Sequence, residues 1–236
     1  MYLSRLILDP RSRQVRRDTG DCQQMHRTLC RAFPGTEGKD PRFRSRAGLL
    51  WRLDRREDGT LCVIAQSEAE PNWGFLQECP GYLLPSFPCP AVRSLDPLWS
   101  RLVAGTVWQF LLRANPTRKV ATKSSPDGSK SNGRRLPLDT EEDELRWFLR
   151  KAAEGGFYLA PEGRQGEESR RLRVCRETPL KGSRGAQGDS HGMTFHAVRF
   201  EGYLQVTDGD RFREILKNGL GSAKAYGFGL LSLAPV

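Results

Sequence analysis

An imidazole beside guanidinium groups can move protons next to an anion, and this sequence holds one such set. It is His26 in CQQMHRTLCR, with Arg27 adjacent and Arg31 shortly after. Histidine changes charge near neutral pH, so it can take a proton from a hydroxyl and return one to a leaving oxygen, while arginine forks onto phosphate. On a helix His26 falls at the margin of an apolar stripe, one side anchored and the other wet. That place equally suits a boundary histidine with a structural hydrogen bond, and the residues alone leave both readings open. A second set lies in NGLGSAKAYGFGLLSLAPV, residues 218–236, where Gly219, Gly221, Gly227 and Gly229 surround Lys224. Unshielded amides around a lysine suit the close approach of an extended phosphodiester. A helix C-cap at Gly219 with tight helix-to-sheet packing also uses glycine.

The glycine loop fits neither common nucleotide motif. A dinucleotide loop leaves a strand and opens a helix, whereas here the helix ending near Lys217 comes first and the strand follows Gly229. Lys224 has no hydroxyl residue after it, so the triphosphate-binding pattern fails too. KAYGFG echoes an RNA-recognition strand motif, with Ala225 and Gly229 as departures, and falls on the last strand instead of an inner one. Six cysteines form no CxxC pair, and His191 and His196 have no carboxylate or cysteine at ligand spacing, so no metal site and no cofactor is expected. Free thiols, the absence of an apolar leader and the lack of a membrane-length stretch point to a cytoplasmic protein with no membrane partner.

The 236 residues carry 38 Lys and Arg against 28 Asp and Glu, a formal charge of +10. Such a surface attracts polyanions, because each neutralised phosphate releases a counterion. The elements that must position these groups read as two similar runs. Residues 2–8 form a strand, about 21–33 a helix with Cys22, Met25, Leu29, Ala32 and Phe33 on one stripe, and 48–54 with 60–66 a hairpin. A short helix fits within 70–84, and PSFPCP at 85–90 ends the first domain, residues 1–88. In the second domain, residues 98–236, a strand at 107–113 precedes a helix capped by Asp139 or Thr140, with Leu145, Phe148, Leu149 and Ala152 inward. Residues 157–160 and 171–177 read as paired strands, 198–206 as a strand, 210–217 as a helix and 228–233 as the closing strand. Both halves therefore suggest α+β folds of ferredoxin-like (RRM-like) βαββαβ type. Residues 117–135, with six Lys or Arg and one Asp, and the polar, glycine-rich 183–192 break the pattern as loops.

GLGSAKAYGFGLLSLAP, taken with RANPTRK at 113–119, RRLPL at 134–138, FEG at 200–202, the opening MYLSRLIL and MHRTL at 25–29, resembles the CasE family. These are the CRISPR-RNA-processing endoribonuclease subunits of type I-E Cascade. The resemblance spans the chain and implies two tandem ferredoxin-like domains that bind the repeat stem-loop of precursor CRISPR RNA. It implies cleavage at the 3′ base of the stem, retention of the hairpin inside Cascade beside other subunits, and contact with DNA only through the assembled complex. Metal-independent attack by the 2′-hydroxyl, leaving a 2′,3′-cyclic phosphate, is the chemistry implied. The resemblance makes His26 the catalytic histidine. Gln23 stands where the family usually has a tyrosine, and an amide can hydrogen-bond but cannot donate a proton as a phenol does. This departure also allows a catalytically impaired hairpin-binding subunit. Gln23, Arg27, Arg31 and Lys224 are the expected support for His26. RNA contacts are expected from Arg118, Lys119, Lys123, Arg134 and Arg135 in the first basic loop, and from Gly219, Gly221, Lys224 and Gly227 in the glycine loop. Arg170, Arg171, Arg173 and Arg176 are the further set, with a basic groove-entering hairpin mapped to 169–177.

Overall fold

The computed structural model describes residues 1–33, 47–120, 134–160, 172–184 and 191–236. Its first half opens with β1 (Tyr2–Leu8), followed by α1 (Arg13–Gly20) and α2 (Cys22–Cys30). The hairpin of β2 (Leu50–Arg55) and β3 (Leu61–Ser67), the single turn α3 (Gly74–Gln77) and β4 (Ala91–Ser94) complete it. These strands form one antiparallel sheet in the order β2-β3-β1-β4. Its edge strand β4 lies beyond residue 88, the end expected for the first domain. A four-residue, mostly exposed strand leaves little apolar pattern to read.

After the turn α4 (Asp96–Trp99), the second half contains β5 (Val107–Ala114), the strand pair β6 (Thr117–Val120) and β7 (Arg134–Pro137), and α5 (Glu141–Glu154). Then come β8 (Phe157–Leu159), β9 (Arg173–Arg184), β10 (His191–Val206), α6 (Gly209–Asn218) and β11 (Leu231–Pro235). The sheet order is β11-β5-β10-β8, with β9 also paired to β10. In each half the first and third strands of the βαββαβ unit are central, which is the ferredoxin-like arrangement in duplicate. The strands at 157–159 and 173–184 do not pair with each other. Both pair with β10, whose 16 residues offer one edge in two stretches, Leu204–Val206 to β8 and His191–Glu201 to β9.

Each half has its own core. In the first, Leu6, Leu8, Trp51 and Val63 of the sheet pack on Val15, Met25, Leu29 and Phe33. The stripe expected from the sequence is buried in full, although the helix ends at Cys30 and Ala32 and Phe33 lie in the following turn. Truncating a buried Leu29 to alanine costs about 2–5 kcal/mol on general grounds. Helix α1 escapes sequence reading because Val15 is its one buried apolar residue. A polar tie replaces a stripe: the buried Asp18 carboxylate accepts from Thr28 Oγ1 of α2 at 2.7 Å and from Tyr82 Oη at 2.9 Å. Asp21 then caps α2, accepting from Gln23 N at 2.8 Å.

In the second core the Phe148 ring stacks on Phe110 and Phe200, with centroids 5.4 and 5.0 Å away. Thr140 caps α5, accepting from Asp143 N at 3.1 Å. Leu149, expected inside, is 44% exposed, and Trp147 takes the inward place. The helix turns its stripe toward the glycine loop, where Trp147 covers Gly221. Among the described residues no helix is long and apolar enough to cross a membrane.

Candidate nucleic-acid interface and cleavage site

The glycine loop begins where α6 stops. Gly219 has φ +74 and its N–H reaches Ile215 O at 2.7 Å, while Leu220 N donates to Gly229 O at 2.9 Å and Gly229 N to Arg113 O at 2.8 Å. The loop is thus hydrogen-bonded to itself and to β5. Of the two uses expected for its glycines, the contacts around them answer to tight packing. A Cβ on Gly221 would sit 2.9 Å from Trp147, on Gly227 3.0 Å from Trp51, and on Gly229 2.6 Å from Leu220 O, each at a left-handed φ. Bare backbone is required on the protein side, so packing dictates the glycines. That packing joins the halves: Trp51 Nε1 donates to Ala225 O at 3.1 Å and Gln66 Nε2 to Leu216 O at 2.8 Å.

Beyond the glycines the loop borders a basic groove of about 510 Å³. Arg118 and Lys119 of β6, Arg135 of β7 and Lys224 of the loop come together there, with Gly219 and Gly221 in the wall. Sequence reading missed two further cations, Arg150 and Lys151 from α5. Among the described residues Glu154 is the one carboxylate in the lining, and it pairs with both of them, Arg150 at 3.1 Å. The only signal available was the change from an acidic first turn to a basic end in α5, which also satisfies the helix dipole and so does not single out a ligand. Six cationic side chains against one carboxylate give this groove a positive lining, and such a lining attracts phosphates.

Other predicted contacts fall elsewhere. Arg176 is exposed yet engaged: its Nε lies 3.0 Å from Oε1 of the fully buried Glu144, and its Nη2 donates to Asp139 O at 2.6 Å. A guanidinium so engaged neutralises a buried carboxylate, a structural role beside the RNA contact expected of it. Arg173 is exposed on β9. Of the stretch 169–177 where a groove-entering hairpin is expected, residues 173–177 belong to a strand that continues to Arg184 and ends against α2. There Ser183 N donates to Asp21 Oδ1 at 3.3 Å. Arg134 lies on β7, with its backbone paired to Val120. Lys123, Arg170 and Arg171 lie outside the described residues.

His26 is half-buried on α2, and the Sγ of Cys30, one turn later, lies 3.6 Å from its Nε2. Gln23 is half-buried one turn before it, and Arg27 is exposed. Arg31 is exposed and its guanidinium rests over the Phe75 ring at 4.4 Å, which fixes its direction. Helix α2 packs against the 3₁₀ turn Lys224–Tyr226. The imidazole's helix and the lysine's turn are therefore neighbours, although 198 positions separate the two residues in sequence (224 minus 26). Burial, reinforced by Asp21, pushes the Cys22 thiol up to about 11, so it stays protonated at neutral pH.

A histidine-bearing helix packed on a turn that borders a basic groove fits work on a phosphodiester, and known proteins resemble this chain along its whole length. The family described as CRISPR associated protein matches residues 1–235. The CRISPR-associated endoribonuclease Cse3 of Thermus thermophilus is 35% identical over 240 residues, covering all of both chains. The CRISPR system Cascade subunit CasE of Escherichia coli is 26% identical over 239 residues, again covering both. A solved structure of CRISPR endoribonuclease Cse3 bound to 19 nt RNA matches with a TM-score of 0.76 at 33% identity, all of both chains covered. With a family match from Met1 to Pro235 and full-length relatives in both Cse3 and CasE, the chain belongs to the CRISPR-associated protein family, as a CasE (Cse3) member.

Proposed function

We propose that this protein is a CRISPR RNA-processing endoribonuclease that works in the cytoplasm. It binds the repeat stem-loop of precursor CRISPR RNA, cuts at the 3′ base of the stem and keeps the hairpin within Cascade. The observation that carries this reading is the packing of His26's helix against the turn of Lys224, at the edge of the basic groove. The similarity to an endoribonuclease, to a Cse3 that binds RNA and to a Cascade subunit supports it.

The groove cations hold successive phosphates, and Lys224 brings positive charge to the side of the groove facing α2. The ribose 2′-hydroxyl attacks the adjacent phosphorus as His26 moves its proton. The P–O5′ bond then breaks as the protonated His26 returns the proton to O5′, leaving a 2′,3′-cyclic phosphate and a 5′-hydroxyl. Cations steady the phosphorane charge, and the reaction needs no metal. Gln23 orients a phosphate or hydroxyl by hydrogen bonding. The test is cleavage of a labelled repeat hairpin: EDTA leaves the rate unchanged, and His26→Ala abolishes cutting while binding persists. EDTA-sensitive cutting overturns this chemistry.

Gln23 favours a second reading, a subunit that grips the hairpin without cutting it. Tight binding of intact RNA by the natural chain, with cutting gained in Gln23→Tyr, would establish that reading instead.

A further inference from the structure

A second hollow, of about 590 Å³, adjoins the basic groove and shares Thr117, Arg135 and Ser222 with it. We propose that this hollow is a nucleobase subsite, which takes one unpaired base flanking the RNA stem. The proposal rests on the RNA-processing reading above and adds a position at which the protein reads the strand.

One wall is aromatic. Phe195 of β10 and Tyr226 of the 3₁₀ turn are both half-buried and stacked, with centroids 4.7 Å apart and planes inclined by 22°. Such a pair offers a flat apolar surface of the kind on which splayed bases stack. Polar groups stand around it: Asn115 presents a carboxamide, Thr117 a hydroxyl and His196 an imidazole, all in the lining. These can meet the donors and acceptors on a base edge. The volume lies within the range of about 300–1,000 Å³ usual for small-molecule sites.

The backbone departs from regularity at this place. The β9–β10 register runs from Phe195↔Leu180 directly to Ala197↔Glu177, so His196 is unpaired opposite Thr178 and Pro179. Such irregularities re-aim a side chain and gather near functional sites. Across the hollow, Ala223 has φ +59, the one non-glycine residue with a left-handed φ among the described residues. Two departures from regular backbone therefore face one hollow. Arg135 lines both spaces, so a phosphate held in the groove carries its own base to the mouth of the hollow. A paired base in the stem hides its edge, and the occupant is therefore a nucleotide just outside the stem.

The test uses the full chain and repeat hairpins made uncleavable by a 2′-deoxy sugar at the scissile position. Each unpaired position flanking the stem is replaced in turn by 2-aminopurine or by an abasic residue. At one position protein binding quenches the 2-aminopurine, and the abasic residue weakens binding about tenfold, as loss of one stacked base does. His196→Ala and, separately, Asn115→Ala reduce that abasic penalty to less than twofold, which also reports on variants that differ in overall affinity. If the unmodified hairpin binds while every position stays as bright as in free RNA and no abasic residue costs more than twofold, the subsite is wrong and the RNA-processing reading stands. If the hairpin is neither bound nor cut, both fail.

Discussion

Trp51, on the hairpin of the first half, donates its indole N–H to the carbonyl of Ala225 at 3.1 Å, while its ring lies 3.0 Å from the point a Cβ on Gly227 would occupy. One residue of the first sheet thus sets the height of the turn bearing Lys224, and the helix bearing His26 packs on the same turn. The two chemical groups are registered through the protein interior.

Trp51→Phe keeps the apolar bulk and removes the donor. It is expected to lower stability by about 1 kcal/mol, the net worth of a part-buried hydrogen bond. Single-turnover cleavage should slow roughly tenfold while hairpin affinity changes less than threefold, because misplacement harms the reacting geometry before it harms charge attraction. Thermal melting with single-turnover kinetics checks both; an unchanged rate in a destabilised variant would break the link.

Gly221→Ala meets Trp147 at 2.9 Å and must hold φ +82. The combined clash and strain should cost about 2 kcal/mol, lowering Tm by roughly 4–8 °C. Gly20→Ala is the control. It sits exposed at the end of α1 with nothing within 4 Å of the added methyl, and should be neutral or slightly stabilising.

The arginines separate into two kinds, and salt titration distinguishes them. Arg150→Ala should weaken hairpin binding and flatten the slope of log affinity against log salt by about 0.7–0.9, one phosphate's share, with little change in Tm. Arg176→Ala should leave that slope unchanged and lower stability by about 2 kcal/mol, since it strands the buried Glu144. Adding Glu144→Met should recover the lost stability, because an apolar side chain there has no charge to neutralise.

Alkaline pH should expose the strain at Cys22. Its thiol is raised from an ordinary 9.0 to about 11, so the folded chain holds a proton that the unfolded chain releases. Stability from this group is therefore full below pH 9 and falls between pH 9 and 11, by on the order of 1–2 kcal/mol. Burial beside Asp18 also raises the Tyr82 phenol and extends the decline upward. Urea midpoints measured across pH 8–11 check this, and Cys22→Ala should flatten the curve over the 9–11 interval.

Much of the fold was legible because its pattern is local. The alternation of Trp108, Phe110 and Leu112, the stripe of Met25 and Leu29, and the cap at Thr140 each record a face or an end within a few residues. Helix α1 was not legible, because Asp18 holds it through Thr28 and Tyr82, partners distant in sequence. The pairing of β8 and β9 with one strand was hidden for the same reason, as both of their apolar faces fit β10.

The site divides along the same line. Residue chemistry marked Lys224 and the basic run at 117–135 but left His26 open until the family resemblance singled it out, since charge and proton affinity belong to side chains wherever they lie. Only the folded chain decided which charges act together. It brought Arg150 and Lys151 to the groove, set Arg176 beside the buried Glu144, and turned the glycines toward Trp51 and Trp147. Electrostatic and packing energies depend on distances through space, and residues far apart along the chain acquire those distances only when two sheets and their helices close around them.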